Sequence, residues 1–540
     1  TILDKNEKSA LQLKHEISST CQASSTGKKV SFIVAKWVIL RLLGVVYFVA
    51  FLGAYKQNEG LIGEHGLQPA VQFMKRLQQN ESHPWQGFLR YPTLFWWLKL
   101  NDFSMNSFAC IGIVISGIVV FGLNSWLAMF FLWLIDFSIV TIAGGTSFYS
   151  YGWESQLLET GFLAIFLCDL PHFVHINGSR WKIRSVWKDD EKSNQTPSTL
   201  ILWLFRWLCF RISLGAGLIK IRGSTCWSEK TCLWYHFETQ PLPSPFSFMF
   251  HFLPKWVLSR AVDLDIFVQL YISWFVLVPG SIPGCSQSTA SLLRLILRLG
   301  GFLQAGFMVN IILSGNFAFL NHLTIIPALA CLDDNCWPHL IQKLAVSREL
   351  TKKEELKARA FSLPPRLLVD LCLVILIGSL SSPVIINLLQ LGGSHQVMNR
   401  SFDSFRLVNT YGAFGSVGKA RFEPIISVSV NGSDWIELEL PCKPGKVERK
   451  PCFCAPYHYR LDWNIWFIGF PPHSTYLQQR ERWMYTLIEK ILQDSNSQRP
   501  WLALLDKKSA SFLKQSYQNG KQPKFAKVDM YRYKMAAPLG

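Results

Sequence analysis

Residues 151–170 read YGWESQLLETGFLAIFLCDL, an apolar run with helical character that contains two carboxylates, Glu154 and Glu159. A carboxylate in a hydrocarbon environment costs several kcal/mol unless it is paired, protonated or facing a polar cavity. The chain must therefore supply partners for these two side chains, and the search for those partners determines how the helices are expected to pack.

The best partners in the sequence are Arg206 and Arg211, which lie in the apolar run 199–217. They have the same five-residue spacing as Glu154 and Glu159, equivalent to ~7.5 Å of helix rise. Bidentate arginine–carboxylate pairing is a common way to satisfy such charges. We predict that the two helices pack with each carboxylate opposite a guanidinium. A polar binding cavity or an acid–base pair remains the alternative.

The composition indicates an integral membrane protein. Of 540 residues, 49% are hydrophobic and only 17% are charged, whereas soluble domains carry about 25% charged residues. The 21 Trp and 39 Phe suit rich anchoring at membrane interfaces. The expected fold class is an all-α, multi-span membrane bundle followed by a separate C-terminal domain.

Several apolar runs approach the length needed to cross a ~30 Å hydrocarbon core. They are 33–54, 107–122, 126–143, 156–170, 199–217, 256–279 and 366–390. The block 301–330 is interrupted by Ser314-Gly315-Asn316. It could form one long span or a re-entrant pair of half-helices buried against protein.

The net charge of +18 is distributed between the apolar runs rather than along one stripe. This distribution is typical of the positive-inside rule, and with no recognition module present it argues against nucleic-acid binding. Five lysines before residue 33 place the N-terminus in the cytosol. The predicted organisation is a cytosolic segment 1–32, a multi-pass region 33–390 with lumenal loops 55–106 and 218–255, and a lumenal domain 391–540.

Residues 391–540 have the pattern of a small folded domain. Two alternating runs flank Asn431-Gly432, a strong hairpin signal. KFAKVDMYRYKM predicts a further strand, and STYLQQRERWMYTLIEKILQ has helical spacing. We expect a strand-rich, α+β domain resembling a β-sandwich.

The cysteines and sequons agree with lumenal placement of these segments. Cys226 and Cys232, and likewise Cys442 and Cys452, are predicted to form disulfides, since an oxidising compartment permits them. A metal site is disfavoured because no Cys-x2-Cys pairs face each other at finger spacing. Glycosylation sequons on the predicted lumenal side begin at Asn80, Asn399 and Asn431, and one on the cytosolic side begins at Asn177.

No catalytic signature accompanies the intramembrane charges. The sequence has no Gly-rich phosphate loop, no H-E-x-x-H and no G-x-S-x-G. We expect neither an enzyme nor a bound cofactor. Two alternatives stay open: a membrane enzyme that modifies lumenal clients, with an architecture resembling the vitamin K-dependent carboxylases, and a transporter.

Several motifs together identify a family resemblance. YGWESQLLETGFLAIFLC, FRISLGAGLIKIRG, YHFETQPLP, SGNFAFLNHLTIIPALAC, VNTYGAFGSV and PYHYRLDW resemble the lipase maturation factors, in order, from about residue 36 to 534. The resemblance implies a multi-pass membrane protein of the endoplasmic reticulum. It also implies that the chain helps secreted dimeric lipases, lipoprotein lipase above all, to reach an active, exportable state.

The expected mechanism is binding rather than catalysis. A lumenal surface formed by 218–255 and the C-terminal domain would hold the immature client, with the lipid bilayer and other chaperones of the endoplasmic reticulum as further partners. The candidate contact residues are aromatic or histidine side chains from two loops. They are Trp234, Tyr235, His236, Tyr457, His458 and Tyr459.

Overall fold

The computed structural model describes residues 30–169, 196–345, 365–393, 395–470, 482–493 and 499–536, together with strands β1 (Phe173–Ile176) and β2 (Arg180–Ile183). Most of the predicted cytosolic segment 1–32 and the sequon at Asn177 lie outside the described residues.

The first 390 residues are dominated by helices, and four of the described α-helices have N-termini capped by polar side chains, as helix starts prefer. Asn101 accepts a hydrogen bond from Ser104 N, Ser125 from Ala128 N, Ser244 from Ser247 N and Ser286 from Thr289 N. The helices are α1 (Ile33–Ile62), α2 (Ala70–Asn80), α3 (Pro84–Arg90), α4 (Asp102–Val120), α5 (Trp126–Ile142), α6 (Gly152–Leu167), α7 (Thr199–Ile221), α8 (Leu233–Thr239), α9 (Pro245–His251), α10 (Lys255–Leu270), α11 (Gln287–Ser314), α12 (Leu320–Ala328), α13 (His339–Ala345) and α14 (Pro365–Leu389).

Six helices, α1, α4, α5, α7, α11 and α14, are long and apolar enough to cross a membrane. Five of them contain runs that the sequence predicted as spans, so the multi-span bundle is confirmed. The predicted runs 156–170 and 256–279 instead form α6 and α10, of 16 residues each. A helix of that length rises ~24 Å, less than the hydrocarbon thickness. The sixth helix, α11, starts well before the predicted block 301–330.

One end of the bundle, which we call the basic end, gathers four cationic side chains from three helices. The helices α1, α11 and α14 contribute them beside the ends of α4, α6 and α12. Lys36, Arg41, Arg298 and Arg366 bond there to Asp169 (2.7 Å), the Gly122 carbonyl (2.6 Å), Asp333 (2.5 Å) and Asp370 (3.1 Å), respectively.

The opposite end, which we call the far end, contains the interruption that the sequence predicted. Helix α11 ends at Ser314 and α12 begins at Leu320. Between them, Asn316 donates to the Cys452 carbonyl (2.9 Å) and accepts from Cys454 N (2.9 Å) and Ala455 N (3.1 Å). The backbone at the break is also satisfied by protein, since Asn316 N donates to the Leu242 carbonyl and the Ser314 carbonyl accepts from Gln240 and Ser247. The break therefore joins the bundle to the C-terminal region.

The C-terminal region combines one sheet with three helices. The strands β3 (Arg421–Ser429), β4 (Ile436–Leu438) and β5 (Phe525–Tyr533) are antiparallel in the order β4-β3-β5. The helices are α15 (Arg460–Ile468), α16 (Arg482–Gln493) and α17 (Lys507–Gln518). The predicted hairpin, final strand and helix are confirmed. In the described part of 391–540 the strands form a single sheet, and the second sheet of a sandwich is not seen there.

Candidate functional site

Glu159 is the centre of a buried polar network. One carboxylate oxygen pairs with Arg211, as the spacing suggested. The other accepts hydrogen bonds from Tyr411 Oη (2.7 Å), Asn409 Nδ2 (3.0 Å) and Asn409 N (3.1 Å). Arg211 in turn donates to the Asn409 carbonyl at 2.9 Å. The pair is thus completed by the chain that follows α14, at sequence distances that helix periodicity cannot anticipate.

Glu154 does not meet Arg206, and this part of the predicted pairing is wrong. Glu154 pairs with Arg460 at 2.6 Å, and the Arg460 guanidinium also stacks 3.6 Å from the centroid of the Tyr149 ring. Arg206 instead donates to the Ala330 carbonyl at 2.8 and 3.0 Å. The reason is that Glu154 lies at the far end of α6, within reach of α15, whereas Arg206 lies nearer the basic end.

The structure forms both disulfides that the sequence suggested, Cys226–Cys232 and Cys442–Cys452. The sulfurs of Cys442, Cys452 and Cys454 all lie within 4.8 Å of one another. Two of these sulfurs are bonded to each other, so the cluster cannot offer three thiolates to a metal ion while the disulfide persists. Burial raises the pKa of the remaining Cys454 thiol to about 12, which keeps it protonated and weakly nucleophilic.

Two of the proposed client-contact residues are buried and cannot contact a client directly. His236 packs edge-on against Phe237 and Phe414, and burial lowers its pKa to about 3. His458 is 3% exposed and packs on Tyr151 and Trp153. These two histidines, which the sequence assigned to a client surface, instead pack in the interior of the protein.

The other four candidates, Trp234, Tyr235, Tyr457 and Tyr459, are partly exposed. Tyr457 accepts a hydrogen bond from Gln57 Nε2 at 3.1 Å, and its ring packs on Tyr459. Trp234 lies under the Lys255 ammonium, 4.7 Å from the ring centroid. These side chains fix loops against neighbouring helices rather than form one continuous surface.

Among the sequons, Asn80 and Asn431 are exposed, as an acceptor asparagine must be. Asn399 is also exposed. Its Nδ2 donates to the Gly412 carbonyl at 3.1 Å, and that of Asn431 donates to Asp434 Oδ2 at 2.7 Å. Asn80 ends α2, just after α1 reaches the far end, and Asn431 lies in the β3–β4 turn. The exposed sequons are therefore on the far-end side of the bundle.

A cleft of about 920 Å³ lies between the 218–255 loop, the disulfide loop 442–452 and the C-terminal sheet. Its lining comprises Pro243, Phe248, Glu423, Ile425, Trp435, Ile436, Glu437, residues 442–451 and residues 531–536. The volume is within the ~300–1,000 Å³ of ligand-binding pockets. The structure therefore brings together the two segments that the sequence assigned to one surface, but through different residues.

Strand register explains which side chains form the floor of the cleft. Side chains alternate between the faces of a strand. Glu423 is paired with Tyr531 and Arg421 with Tyr533, so these four lie on one face of the sheet. The opposite face carries Ile426 and other core residues that are buried. The floor thus combines tyrosine rings with Glu423, whose ion-pair partner Arg421 lies on the same face of the sheet next to the cleft.

That ion pair links the sheet to both loops. Glu423 bonds to Arg421 at 2.7 Å and to Lys443 at 2.6 Å, and Arg421 also donates to the Pro241 carbonyl at 2.9 Å. Behind it, Asp462 accepts from Cys442 N (2.6 Å) and Lys443 N (2.8 Å). Burial lowers the pKa of Lys443 and raises that of Asp462 to about 6. These contacts fix the disulfide loop over the sheet.

The rim of the cleft is basic and partly apolar. Val447, at the tip of the disulfide loop, is 95% exposed, and Tyr531 is 54% exposed. The sequence signals for this rim were the run CKPGKVERKPC (442–452) and the alternating strand β5. Neither the 442–452 run nor the alternation of β5 predicts a cleft by itself. The two segments come together only because β5 pairs with β3.

Two family models match the chain. A model described as the lipase maturation factor transmembrane domain matches residues 34–339, and one described as the lipase maturation factor C-terminal domain matches residues 407–539. The second match includes most of the residues that line the cleft. No solved structure matches the chain.

Curated relatives match over most of the chain. Lipase maturation factor 1 of Mus musculus is 39% identical over 530 residues, covering 94% of this chain and 84% of the relative. The protein of the same name from Homo sapiens is 38% identical with the same coverage. Lipase maturation factor 2 of Xenopus laevis is 26% identical, covering 85% of this chain and 74% of the relative.

Proposed function

The chain belongs to the lipase maturation factor family, and on that premise we propose that it assists the folding, assembly and export of secreted dimeric lipases, of the lipoprotein lipase class, in the endoplasmic reticulum membrane. The observation that carries this proposal is identity of 37–39% to three proteins named lipase maturation factor 1 over 94% of the chain. A role in lipase maturation follows from the family, and the relatives are named as maturation factors rather than enzymes.

The proposed orientation places the basic end in the cytosol. Lys36, Arg41, Arg298 and Arg366 gather there, and the positive-inside rule retains such residues on the cytosolic side. The far end, with its disulfides and exposed sequons, then faces the lumen. This orientation supports a lumenal cleft that a secreted lipase could reach.

The proposed mechanism is the holding of an immature client. Lipase subunits that have not yet paired expose apolar surface and aggregate. A protein that binds this surface lowers the concentration of free subunits by mass action and so reduces their aggregation. The cleft beside β5 offers tyrosine rings and a basic rim for such contact. Its position is fixed by the Cys442–Cys452 disulfide and by Arg421, Glu423 and Lys443.

Co-expression with lipoprotein lipase tests the function. In cells that lack their own lipase maturation factors, the full chain should increase the activity of secreted lipase per unit of lipase protein. The charge-reversal variant Arg460→Glu, which breaks the buried pair with Glu154, serves as the inactive control. Unchanged specific activity in the presence of well-expressed wild-type chain would contradict the proposal, and covalent modification of the lipase would favour an enzyme instead.

A further inference from the structure

We propose that the cleft over the β3–β5 face binds an extended polypeptide segment in which acidic residues alternate with aromatic or aliphatic ones. The inference rests on the proposed function, because the segment would belong to a client that has not finished folding. It defines the chemical class of partner that this site recognises, which the family resemblance leaves open.

The first argument is electrostatic. Six basic residues and three glutamates line the cleft. Lys443 is neutralised by Glu423, and Arg449 approaches Glu439 at 3.5 Å. Within the described ranges no ion-pair partner is found for the other four basic residues, which are Lys446, Lys450, Arg532 and Lys534. The other two glutamates, Glu437 and Glu448, are likewise without an ion-pair partner there, so the unpaired groups of the lining keep an excess of positive charge. Unpaired positive charge around a cleft attracts acidic partners and speeds their association.

The second argument is the nature of the floor. Ile425, Tyr531 and Tyr533 share the face that the cleft covers, since their register partners place them on the same side of the sheet. Trp435 and Val447 add exposed apolar surface at two sides of the rim. Tyrosine and tryptophan provide large, rigid contact area and dominate many binding surfaces. A purely anionic ligand would leave this surface unused.

The third argument is shape. Most of the lining comes from two continuous stretches of chain, which we call the walls. They are residues 442–451 and residues 531–536, and Tyr531 and Tyr533 of the second stretch also form part of the floor. Each stretch presents side chains in succession, so an occupant that runs between them meets several in a row. An extended segment does this, because its side chains alternate every ~3.4 Å of rise between the floor and the basic rim. A compact ligand would contact only part of each wall.

The wall that carries Lys446 and Lys450 is rigidly positioned. The Cys442–Cys452 disulfide closes this loop, and Asp462 accepts hydrogen bonds from the backbone at its start. Preorganised walls reduce the ordering cost of binding. Charge reversal at Lys446 and Lys450 should therefore alter the field of the cleft without altering its shape, since both side chains are exposed.

Fluorescence anisotropy with the full chain in detergent micelles tests the proposal. The probe is a labelled decapeptide of alternating glutamate and tyrosine, and lysine–tyrosine and glutamate–serine decapeptides are the comparisons. Only the glutamate–tyrosine peptide should bind well. Its Kd should rise at least ten-fold in the Lys446→Glu/Lys450→Glu variant, and several-fold in Tyr531→Ala. Binding should also weaken in 1 M salt, where the screening length falls to ~3 Å.

The matched control is Lys514→Glu/Lys521→Glu, which makes the same charge change on exposed residues of the C-terminal region outside the cleft. This control should leave the Kd unchanged. Equal binding of acidic and basic peptides, or equal weakening by both double variants, would overturn the proposal. So would full displacement of the peptide by 10 mM inorganic phosphate, since the cleft would then be a simple anion site. Thermal unfolding of each variant verifies that it is folded.

Lipase co-expression separates failure of this inference from failure of the proposed function. If the wild-type chain and Lys446→Glu/Lys450→Glu activate lipoprotein lipase equally, the cleft is not the client site although the function stands. If the wild-type chain does not activate the lipase while the peptide binds the cleft, the function fails and the binding specificity stands.

Discussion

At the scale of single residues, Glu159 should be the least replaceable charge in the bundle. Its carboxylate satisfies Arg211, Asn409 and Tyr411 together, so Glu159→Gln leaves a buried guanidinium without a counter-charge. Removing one partner of a buried pair costs about 3–5 kcal/mol. We expect a large fall in the thermal midpoint and in yield. The exposed pair Arg260–Asp263 provides the control, and Asp263→Asn should change little.

Exchanging the two charges should not restore stability. In Glu159→Arg/Arg211→Glu, a carboxylate would face the Asn409 carbonyl, and a guanidinium would face Asn409 N and Nδ2, which are donors. The network is therefore directional. Recovery of wild-type yield by the exchange would show that only the Coulombic attraction matters and would contradict this reading of the hydrogen bonds.

The buried histidines make stability depend on pH. Burial lowers the pKa of His236 to about 3 and holds that of His458 well below its usual range. The unfolded chain takes up protons near pH 6.5, whereas the folded chain does not. The stabilisation is therefore complete above pH 6.5 and is lost as pH falls towards the folded pKa, by up to roughly 1.4 kcal/mol per pH unit per histidine.

Asp462 has the opposite sign. Its pKa is about 6 in the folded chain, so its contribution to stability falls as pH rises from about 4 to 6. A comparison of wild type with His236→Gln cancels this effect. Between pH 7 and pH 5, the unfolding midpoint of the variant should fall less than that of the wild type. An identical fall in both proteins would show that His236 is not held neutral.

At the scale of elements, the break between α11 and α12 should be the main junction between the bundle and the C-terminal region. Asn316 is 1% exposed and bonds to Cys452, Cys454 and Ala455. Asn316→Ala leaves these backbone groups unsatisfied, at about 1–3 kcal/mol each. We expect faster proteolysis of the C-terminal region with the spanning helices intact. The control is Asn335→Ala, which changes an exposed asparagine just beyond the other end of α12. This variant should be cleaved at the same rate as the wild type.

At the scale of the whole molecule, the proposed orientation predicts which surfaces reagents can reach. Cys285 is a free, partly exposed cysteine just before α11, at the basic end. A membrane-impermeant maleimide should label it in cells whose plasma membrane alone is permeabilised, and Cys285→Ser should reduce that signal, since Cys336 at the same end is also free and partly exposed. Asn80→Gln and Asn431→Gln should each remove one endoglycosidase-sensitive glycan. If Cys285 is labelled only after the internal membranes are also permeabilised, the proposed orientation is wrong and the basic end faces the lumen.

The sequence by itself determined the membrane class, the positions of five spanning helices, the helix break at Ser314–Asn316 and the β3–β4 hairpin with its later strand β5. These features follow from local properties: the length of an apolar run, glycine and asparagine at a break, and alternation along a strand. Five-residue spacing also suggested Glu159 and Arg211 as partners, because a charged side chain in an apolar helix needs an opposite charge beside it and few such charges are present.

Only the tertiary structure decided what Glu154 meets, which aromatic residues are buried and where the cleft lies. Arg460 is 306 positions from Glu154, and β5 begins about a hundred residues after β3. No periodicity within one element encodes such contacts, since they arise when separate elements compete for the same buried surface. His236 and His458 look like surface residues in the sequence, yet packing between the bundle and the C-terminal region buries both.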